Sequence, residues 1–66
     1  MKVLHTKLKE IRVANNLSQE ALAESVGVTR QTIISIEKET YQPSTTLALK
    51  LAHALHKKVE DIFYLS

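Results

Sequence analysis

Apolar residues recur every three or four positions along most of this 66-residue chain, which is the spacing of one face of an α-helix. Polar pairs and helix-breaking residues interrupt the pattern, so it predicts five short helices instead of one long helix. Pro43, for example, forbids a helix through the aperiodic segment 39–44. The predicted fold class is therefore all-α. The expected helices run from about Thr6 to Asn15, between Ser18 and Gly27, between Thr29 and Lys38, after Ser44 as far as Leu55, and from near Val59.

Two of these helices are short, amphipathic and joined by a tight corner, in the segment from Gln19 to Lys38. Leu22 and Val26 lie one turn apart on one face of the first helix. Ile33 and Ile36 do the same in the second. Val28 sits in the corner between them, so these five apolar side chains can share one small core. Two short helices packed across a corner have the layout of a helix-turn-helix, whose second helix reads DNA.

The residues at the corner have the types that such a turn requires. Ala23 falls where the two helices nearly touch, so a larger side chain would push them apart. Gly27 is expected to turn the chain in a left-handed conformation, and Thr29 to restart the helix as its N-cap. Ser18 is the matching N-cap before the first of the two helices. The coincidence of these residue types in one register is specific to the motif.

Composition limits the other functions open to the chain. At 66 residues it is expected to form one domain, residues 1–66, that buries only about 60% of its unfolded surface. The absence of cysteine excludes a disulfide framework and a thiolate metal site. No apolar run approaches the roughly 20 residues needed to span a bilayer, so a cytoplasmic location is expected. A net charge of +2 permits nucleic-acid binding without requiring it.

The chain resembles the phage repressor and Cro type of helix-turn-helix regulators, the Xre family, in the stretches LSQEALAESVGVTRQTIISIEK and YQPS. The resemblance runs from about Leu8 to Phe63 and is closest to the minimal branch that includes the cytolysin regulator. It implies a compact five-helix bundle that binds operator DNA as a homodimer and represses transcription in a prokaryotic cell. It also implies a short antiparallel β element from the chain ends, with Lys2 to Leu4 and Phe63 to Leu65 as candidates.

Two residues depart from the family pattern. Glu39 stands where many members have Gly, directly before the predicted loop. Ile34 stands where a small polar residue is commoner, which puts a bulky apolar group near the DNA face. Ile34 therefore has two open interpretations, contact with a thymine methyl group or sugar and enlargement of the core edge.

Base reading is assigned to the second helix of the motif, because a recognition helix reaches base edges with its N-terminal residues and one turn further on. These positions hold Arg30, Gln31 and Ser35. Arg30 can donate two hydrogen bonds to guanine, and Gln31 can form a two-bond pair with adenine. Outside this motif the same side chains would simply be solvated polar residues.

Phosphate contacts are expected on either side of that helix. Gln19 lies at the start of the preceding helix, where free backbone N–H groups and the helix dipole favour an anion. The resemblance implies the same role, since family members use that glutamine. A recognition helix in the groove also brings its flanks to the DNA backbone. The further phosphate candidates are Ser18, Thr29, Thr32, Lys38, Thr40, Tyr41 and Gln42.

Arg12 and Glu37 are assigned a structural role. In the phage repressors the matching residues form an ion pair, so the resemblance implies that these two orient the recognition helix against the bundle. The alternative is that both side chains are exposed and unpaired, where such a pair would contribute only about 0–1 kcal/mol.

Neither a metal site nor an active site is expected. His53 and His56 lie three residues apart on one helical face and His5 is a third histidine, but structural zinc sites generally take four arranged ligands. The sequence also lacks a nucleophile–base–orienter set and a phosphate-cradling glycine loop. We therefore predict no cofactor, no metal and no enzymatic activity.

A dimer interface is expected at the C-terminal end, where large apolar residues follow a complete bundle. Such residues would fray into water unless they dock on the N-terminal segment or on a second subunit. Leu49 is a rival anchor, because it points away from the apolar face of the fourth helix. The alternative is that Phe63 caps the core of the monomer while the residues after it are disordered. The interface candidates besides Leu49 are Ile62, Phe63, Tyr64, Leu65, Val3 and Leu4.

The predicted function is that of a sequence-specific regulator of double-stranded DNA, a homodimeric repressor of a palindromic operator that is nucleoid-associated when bound. The alternative is an antitoxin or another protein-interaction module on the same scaffold. A structural or RNA-binding role comes third, because single-stranded RNA is usually bound by exposed aromatic side chains, which are few here.

Overall fold

The computed structural model describes all 66 residues and consists of five helices with a short two-stranded antiparallel sheet. It confirms the predicted fold class. The two ends of the chain meet in the sheet, and all five helices lie between them in sequence. The elements in chain order are β1 (Leu4–Thr6), α1 (Leu8–Ala14), α2 (Gln19–Val26), α3 (Arg30–Glu37), α4 (Thr45–Leu55), α5 (Val59–Ile62) and β2 (Phe63–Leu65).

Hydroxyl side chains start the three longest helices. Ser18, Thr29 and Ser44 each accept a hydrogen bond from the backbone N–H three residues further on, at 3.0, 3.3 and 3.1 Å. Each bond satisfies one of the N–H groups that a first helical turn leaves without an intrahelical partner. The predicted N-caps of α2, α3 and α4 are therefore confirmed.

Gly27 makes the corner between α2 and α3. Its φ is 75°, in the left-handed region that glycine adopts at low cost, as the sequence predicts. Its N–H donates to the carbonyl of Glu24 at 3.3 Å, and the N–H of Val28 donates to that of Ala23 at 3.0 Å. Two of the last carbonyls of α2 are satisfied in this way. The chain can then reverse and lay α3 directly against α2.

One apolar cluster holds the bundle together and draws side chains from all five helices and β2. Burying one such Leu, Ile or Val side chain stabilises the folded state by about 1.5–3 kcal/mol. Of the five motif residues that were expected to share a core, four belong to this cluster, and Val28 is partly buried and packs against it. Its members are Leu8, Leu22, Ala23, Val26, Ile33, Ile36, Leu47, Leu51, Ala52, Leu55, Ile62 and Phe63.

The sheet joins the chain ends in the antiparallel sense that the resemblance implies. Leu4 pairs with Leu65 and Thr6 with Phe63, so the first strand lies two residues later than the expected segment 2–4. The bonds between Val3 and Ser66 extend the ladder beyond the strand, at 2.8 and 3.0 Å. The candidate segment 2–4 therefore overlaps the observed pairing at Val3 and Leu4. The sequence does not determine the position of the strand more closely, because side chains alternate with a period of two and a slide by two residues leaves every side chain on the same face.

The first helix begins at Leu8, two residues later than predicted, because Thr6 belongs to β1. The hydroxyl of Thr6 donates to the carbonyl of Ile62 and accepts from the N–H of Leu8, both at 3.0 Å. The N–H of Lys7 donates to the same Ile62 carbonyl at 2.7 Å. These contacts fasten the start of α1 to the end of α5.

Replacing Gly27 by Ala tests whether this corner depends on backbone conformation alone. No atom lies within 4 Å of the position that the new Cβ would take, so a clash contributes nothing. We expect Gly27→Ala to lower the free energy of unfolding by about 1 kcal/mol, the cost of a left-handed conformation for a residue with a Cβ. Urea unfolding followed by circular dichroism measures the change.

His56 supplies the matched control, because it ends α4 with a φ of 56° and is not glycine. His56→Gly should therefore raise the free energy of unfolding by about 0.5–1 kcal/mol. A Gly27→Ala protein that unfolds at the same urea concentration as the wild type would contradict this account of the corner.

Candidate nucleic-acid interface

The exposed side of α3 presents the residues assigned to base reading. Arg30 and Gln31 occupy the first turn of α3 and are exposed. Ser35 follows one turn later and is partly exposed, as is Ile34 beside it. The opposite side of the helix is anchored in the core. The first turn of α3 is therefore held rigidly by its buried face while its polar side chains remain free to reach a ligand.

Two polar depressions lie beside this helix. The first has a volume of about 370 Å³ and no hydrophobic residue in its lining, and the second has a volume of about 200 Å³. They contain eight of the predicted base-reading and phosphate residues. Ile34, Lys38, Thr40 and Gln42 lie outside both depressions. The first is lined by Arg12, Ser18, Gln19, Glu20 and Arg30, and the second by Thr29, Gln31, Thr32, Ser35 and Tyr41.

The capping hydroxyls in these depressions can serve two partners. Ser18 Oγ accepts from the N–H of Ala21, which leaves the hydroxyl hydrogen free to donate to an anion. Thr29 Oγ1 accepts from the N–H of Thr32 and also lies 3.1 Å from Thr32 Oγ1. Each of these two hydroxyl groups carries one hydrogen. One of the hydrogens lies between the two oxygens, so the other remains available to donate to an anion. An N-cap and a phosphate contact are thus compatible roles for the same side chain.

A buried ion pair connects α1 to the end of α3. Arg12 Nε donates to Glu37 Oε2 at 2.7 Å, and the two side chains are only 10% and 5% exposed. Arg12 Nη2 donates to Glu37 Oε1 at 3.4 Å, and Nη1 donates to the carbonyl of Leu17 at 2.8 Å. No buried side-chain nitrogen or oxygen in the protein lacks a hydrogen-bond partner, so neither charge of this pair is buried unpaired.

Gln19 joins this pair. Its Nε2 donates to Glu37 Oε1 at 3.1 Å, which uses one of its two amide hydrogens. The sequence predicted a phosphate role for Gln19 and a structural role for Glu37, but it did not predict their contact, because 18 residues separate them. The amide of Gln19 is therefore oriented by a carboxylate that Arg12 itself holds in place.

The segment that follows α3 is hydrogen-bonded to the end of that helix. Thr40 donates to the carbonyl of Ser35 through its N–H and its hydroxyl, at 3.0 and 3.1 Å. The hydroxyl of Thr40 is thus engaged with a backbone carbonyl. Lys38, Tyr41 and Gln42 are exposed on the same segment.

The candidate dimer residues divide into two groups. Ile62 and Phe63 are 0% and 8% exposed and belong to the monomer core, so they offer no free surface. Tyr64 and Leu65 are ordered in β2, and their side chains are exposed. Val3, which precedes β1, and Leu49, on α4, are exposed as well. The expectation that Ile62 and Phe63 present an interface does not fit their burial, because the helix–strand junction that they form packs inward.

The sheet further separates the exposed candidates by face. Side chains alternate along a strand, so Leu4 and Leu65 share one face with Phe63. Val3 and Tyr64 point to the other face, where the rings of His5 and Tyr64 lie 5.5 Å apart. Beside Phe63 lies an apolar groove of about 450 Å³, lined by Leu4, Pro43, Ser44, Thr45, Ala48, Leu49, Val59, Glu60 and Phe63.

Two other features bear on the range of possible functions. No three His, Cys, Asp or Glu side chains come together in an arrangement that could hold a metal ion. None of the helices has the length and apolar character needed to cross a membrane.

These features define a helix-turn-helix protein with a polar recognition face. The helix-turn-helix family model matches residues 8–62, and the chain belongs to this family, in its Xre type. The family is one of DNA-binding transcriptional regulators and is not a class of enzymes.

Individual relatives agree with this placement. The chain is 52% identical over 62 residues, 94% of each chain, to the uncharacterized HTH-type transcriptional regulator YgzD of Bacillus subtilis. It is 53% identical over 60 residues, 91% of each chain, to the uncharacterized HTH-type transcriptional regulator MJ0272 of Methanocaldococcus jannaschii. Among solved structures it is similar to the restriction-modification controller protein C.AhdI of Aeromonas hydrophila. That likeness has a TM-score of 0.77 at 37% identity and covers 82% of this chain and 78% of the other.

Removing the carboxylate of Glu37 should destabilise the protein strongly. Glu37→Ala would leave the Arg12 guanidinium nearly buried without its counter-ion and Gln19 without its acceptor. We expect the free energy of unfolding to fall by about 3 kcal/mol or more, and DNA binding to be lost as a consequence of unfolding. Chemical denaturation measures the first effect.

The control for this variant is a double replacement, Arg12→Met with Glu37→Leu, which removes both charges and keeps the volume. It should recover most of the lost stability, because well-packed apolar residues replace a buried ion pair at little cost. A Glu37→Ala protein as stable as the wild type would show that the pair contributes nothing.

Proposed function

We propose that this protein is a homodimeric repressor that binds a palindromic operator in double-stranded DNA in the cytoplasm of a prokaryotic cell. The observation that carries the proposal is the exposed first turn of α3, which lies between two polar depressions. A helix presented in this way fits the major groove, with phosphates on both flanks. Occupying the operator would repress transcription by excluding the polymerase.

Base reading is assigned within this proposal to Arg30, Gln31 and Ser35. Arg30 has no hydrogen-bond partner within the protein that would have to be broken, so its guanidinium is free to donate to guanine O6 and N7. Ile34 is partly exposed on the same helix and suits an apolar contact with a thymine methyl group.

Phosphate binding is assigned to the flanks of α3. Gln19 is suited to it because Glu37 orients its amide while one amide hydrogen stays free. The start of α2 adds free backbone N–H groups and the positive end of the helix dipole. The remaining phosphate contacts in the proposal are Ser18, Thr29, Thr32, Tyr41, Lys38 and Gln42, of which the first four are supported by their position in the polar depressions. Thr40, the other phosphate candidate, would have to release the Ser35 carbonyl before it could donate to a phosphate.

A second copy of the chain is proposed to cover the apolar groove beside Leu49. Leu49 and Leu65 are 58% and 60% exposed. Leu4 and Phe63 line the groove together with Leu49, and they share a face of the sheet with Leu65. These shared neighbours favour one interface that includes both of the sites that the sequence offered as rivals. An exposed apolar patch usually marks an interface, and burial against an identical copy gives the two-fold symmetry that a palindrome requires.

The similar C.AhdI protein is described as a restriction-modification controller. A controlling role for that protein agrees with regulation of transcription as the general class of function for this one.

Selection of bound duplexes from a random pool tests the proposed function. A symmetric dimer with two recognition helices should enrich an inverted repeat with half-site centres about 34 Å apart or a multiple of that distance. Affinity should fall steeply with salt, since each neutralised phosphate contributes about −0.9 to the slope of log affinity against log salt. Enrichment of no duplex would overturn the proposal and favour a protein-interaction module instead.

Arg30→Ala should separate base reading from phosphate binding. We expect it to relax the preference at one position in each half-site, at a cost of about 1–3 kcal/mol per contact, and to leave thermal stability nearly unchanged. Gln19→Ala is the comparison variant, because loss of a phosphate contact should weaken binding to all duplexes alike. Competition binding against single-base operator variants measures both effects. An equal loss on every duplex for Arg30→Ala would assign Arg30 to a phosphate.

Introducing a charge into the apolar groove should dissociate the dimer. Leu49→Asp and Leu65→Asp each place a carboxylate on the surface that a second copy would cover. We expect both to sediment as helical monomers with lower operator affinity. Tyr64→Ser is the matched control, because Tyr64 is exposed on the opposite face of the sheet. If only Tyr64→Ser sedimented as a monomer, the interface would lie on that face.

A further inference from the structure

Glu39 directly follows the C-cap of the recognition helix and has an unusual backbone conformation. Its φ is 62°, in the left-handed region that is costly for a residue with a Cβ. Its side chain crosses to β1, where Oε2 accepts the N–H of Thr6 at 2.9 Å and Oε1 lies 3.0 Å from His5 Nδ1. The residue thus contacts a strand 33 positions earlier in the chain. These two hydrogen bonds offset the backbone cost.

The bond to Thr6 uses the outer edge of the sheet. In an antiparallel pair of strands, facing residues are of two alternating kinds. Residues of the first kind exchange N–H···O bonds with each other, and residues of the second kind point their N–H groups away from the partner strand. The Val3–Ser66 pair is hydrogen-bonded, so the N–H of Thr6, three positions later, points away from β2. Glu39 therefore satisfies a backbone donor that β2 cannot reach.

The segment 40–42 is consequently held from two sides. Thr40 is hydrogen-bonded to the carbonyl of Ser35 in α3, and the residue before it is bonded to β1. Between the segment and β1 remains a cavity of only about 60 Å³, whose lining includes Tyr41 and Gln42 on one side and His5 on the other. The segment therefore lies close against β1 while these contacts persist.

We infer that Glu39 is a positioning residue of the DNA interface, whose carboxylate fixes the segment 40–42 against β1 so that the segment meets the DNA backbone already ordered. This role rests on the proposed function. A segment that is ordered before binding loses less conformational freedom when DNA arrives. The contact also directs the negative charge of Glu39 toward the N–H of Thr6 and the His5 ring, which keeps it partnered near a phosphate surface.

The same contacts keep the carboxylate ionised. The backbone hydrogen bond from Thr6 lowers the pKa of Glu39, and the side-chain hydrogen bond from His5 lowers that pKa further. A charged acceptor makes the stronger kind of hydrogen bond, which suits a tie between two exposed segments.

Three substitutions at this position separate the carboxylate from the backbone. Glu39→Gly adopts the left-handed conformation easily but has no side chain to reach β1. Glu39→Asn also tolerates that conformation and is one methylene shorter. Glu39→Gln keeps the length and an oxygen that can accept from the N–H of Thr6. Gly and Asn should therefore lose the contact, while Gln should retain most of it.

The variants are compared on the operator duplex and on mismatched duplexes, in the full chain and below its unfolding temperature. We expect Glu39→Gly and Glu39→Asn to bind every duplex about three- to tenfold more weakly, because a few side chains of the segment 40–42 must then be ordered when DNA binds. Glu39→Gln should stay within about twofold of the wild type on the same basis. Without DNA, the amides of 40–42 and of Thr6 should exchange faster with solvent in the first two variants.

Each contrary result is decisive. Wild-type affinity in Glu39→Gly and Glu39→Asn would overturn the role of Glu39, as would weaker binding with unchanged amide exchange in 40–42. Weaker DNA binding in Glu39→Gly alone, with wild-type affinity in Glu39→Asn, would show that backbone flexibility causes the loss. That result would also overturn the role of Glu39. A wild-type chain that selects no duplex would instead overturn the proposed function, so the two failures are distinguishable.

Discussion

The buried contact between Arg12 and Glu37 is the interaction on which the arrangement of the helix-turn-helix depends. Arg12 on α1 holds the last residue of α3 and the carbonyl of Leu17 before α2, so one guanidinium ties three segments of the chain. Glu37 in turn orients Gln19 at the start of α2. The relative position of the two helices of the motif is therefore set by directional hydrogen bonds as well as by apolar packing, which alone is non-directional.

The sheet performs a related task just beyond the same, C-terminal end of α3. A three-residue strand from each end of the chain closes the fold, and the hydroxyl of Thr6 links that closure to α5. Glu39 connects the same strand to the segment that follows α3. The C-terminal end of α3 is thus held by polar contacts to α1 and, through the segment that follows it, to β1, in addition to the packing of its buried face. This arrangement suits a small protein, in which few apolar side chains are available to fix a helix from every direction.

The limited size of the core also explains why an apolar surface remains outside it. A 66-residue chain has too much surface for its volume, so some large apolar side chains stay exposed after the bundle is complete. Leu49 and Leu65 are such residues, and Leu49 lines an apolar groove beside Phe63. Association of two copies of the chain would remove from water the apolar side chains that the monomer cannot bury.

Local features of this protein were determined by its sequence alone. Helical spacing and the caps at Ser18 and Thr29 depend on residues within one or two turns, and Gly27 determines its own backbone conformation. These signals were sufficient for the five helices, the motif and the exposed first turn of α3. The same periodicity placed the base-reading candidates on one side of that helix.

Only the tertiary structure decided the contacts between distant segments. The register of the sheet, the bond from Gln19 to Glu37 and the reach of Glu39 to Thr6 join residues 18 to 61 positions apart. No spacing rule connects such residues, because their approach depends on how all the helices pack. The burial of Phe63 was decided in the same way, since an apolar residue near a chain end fits a monomer core and an interface equally well until its neighbours are placed.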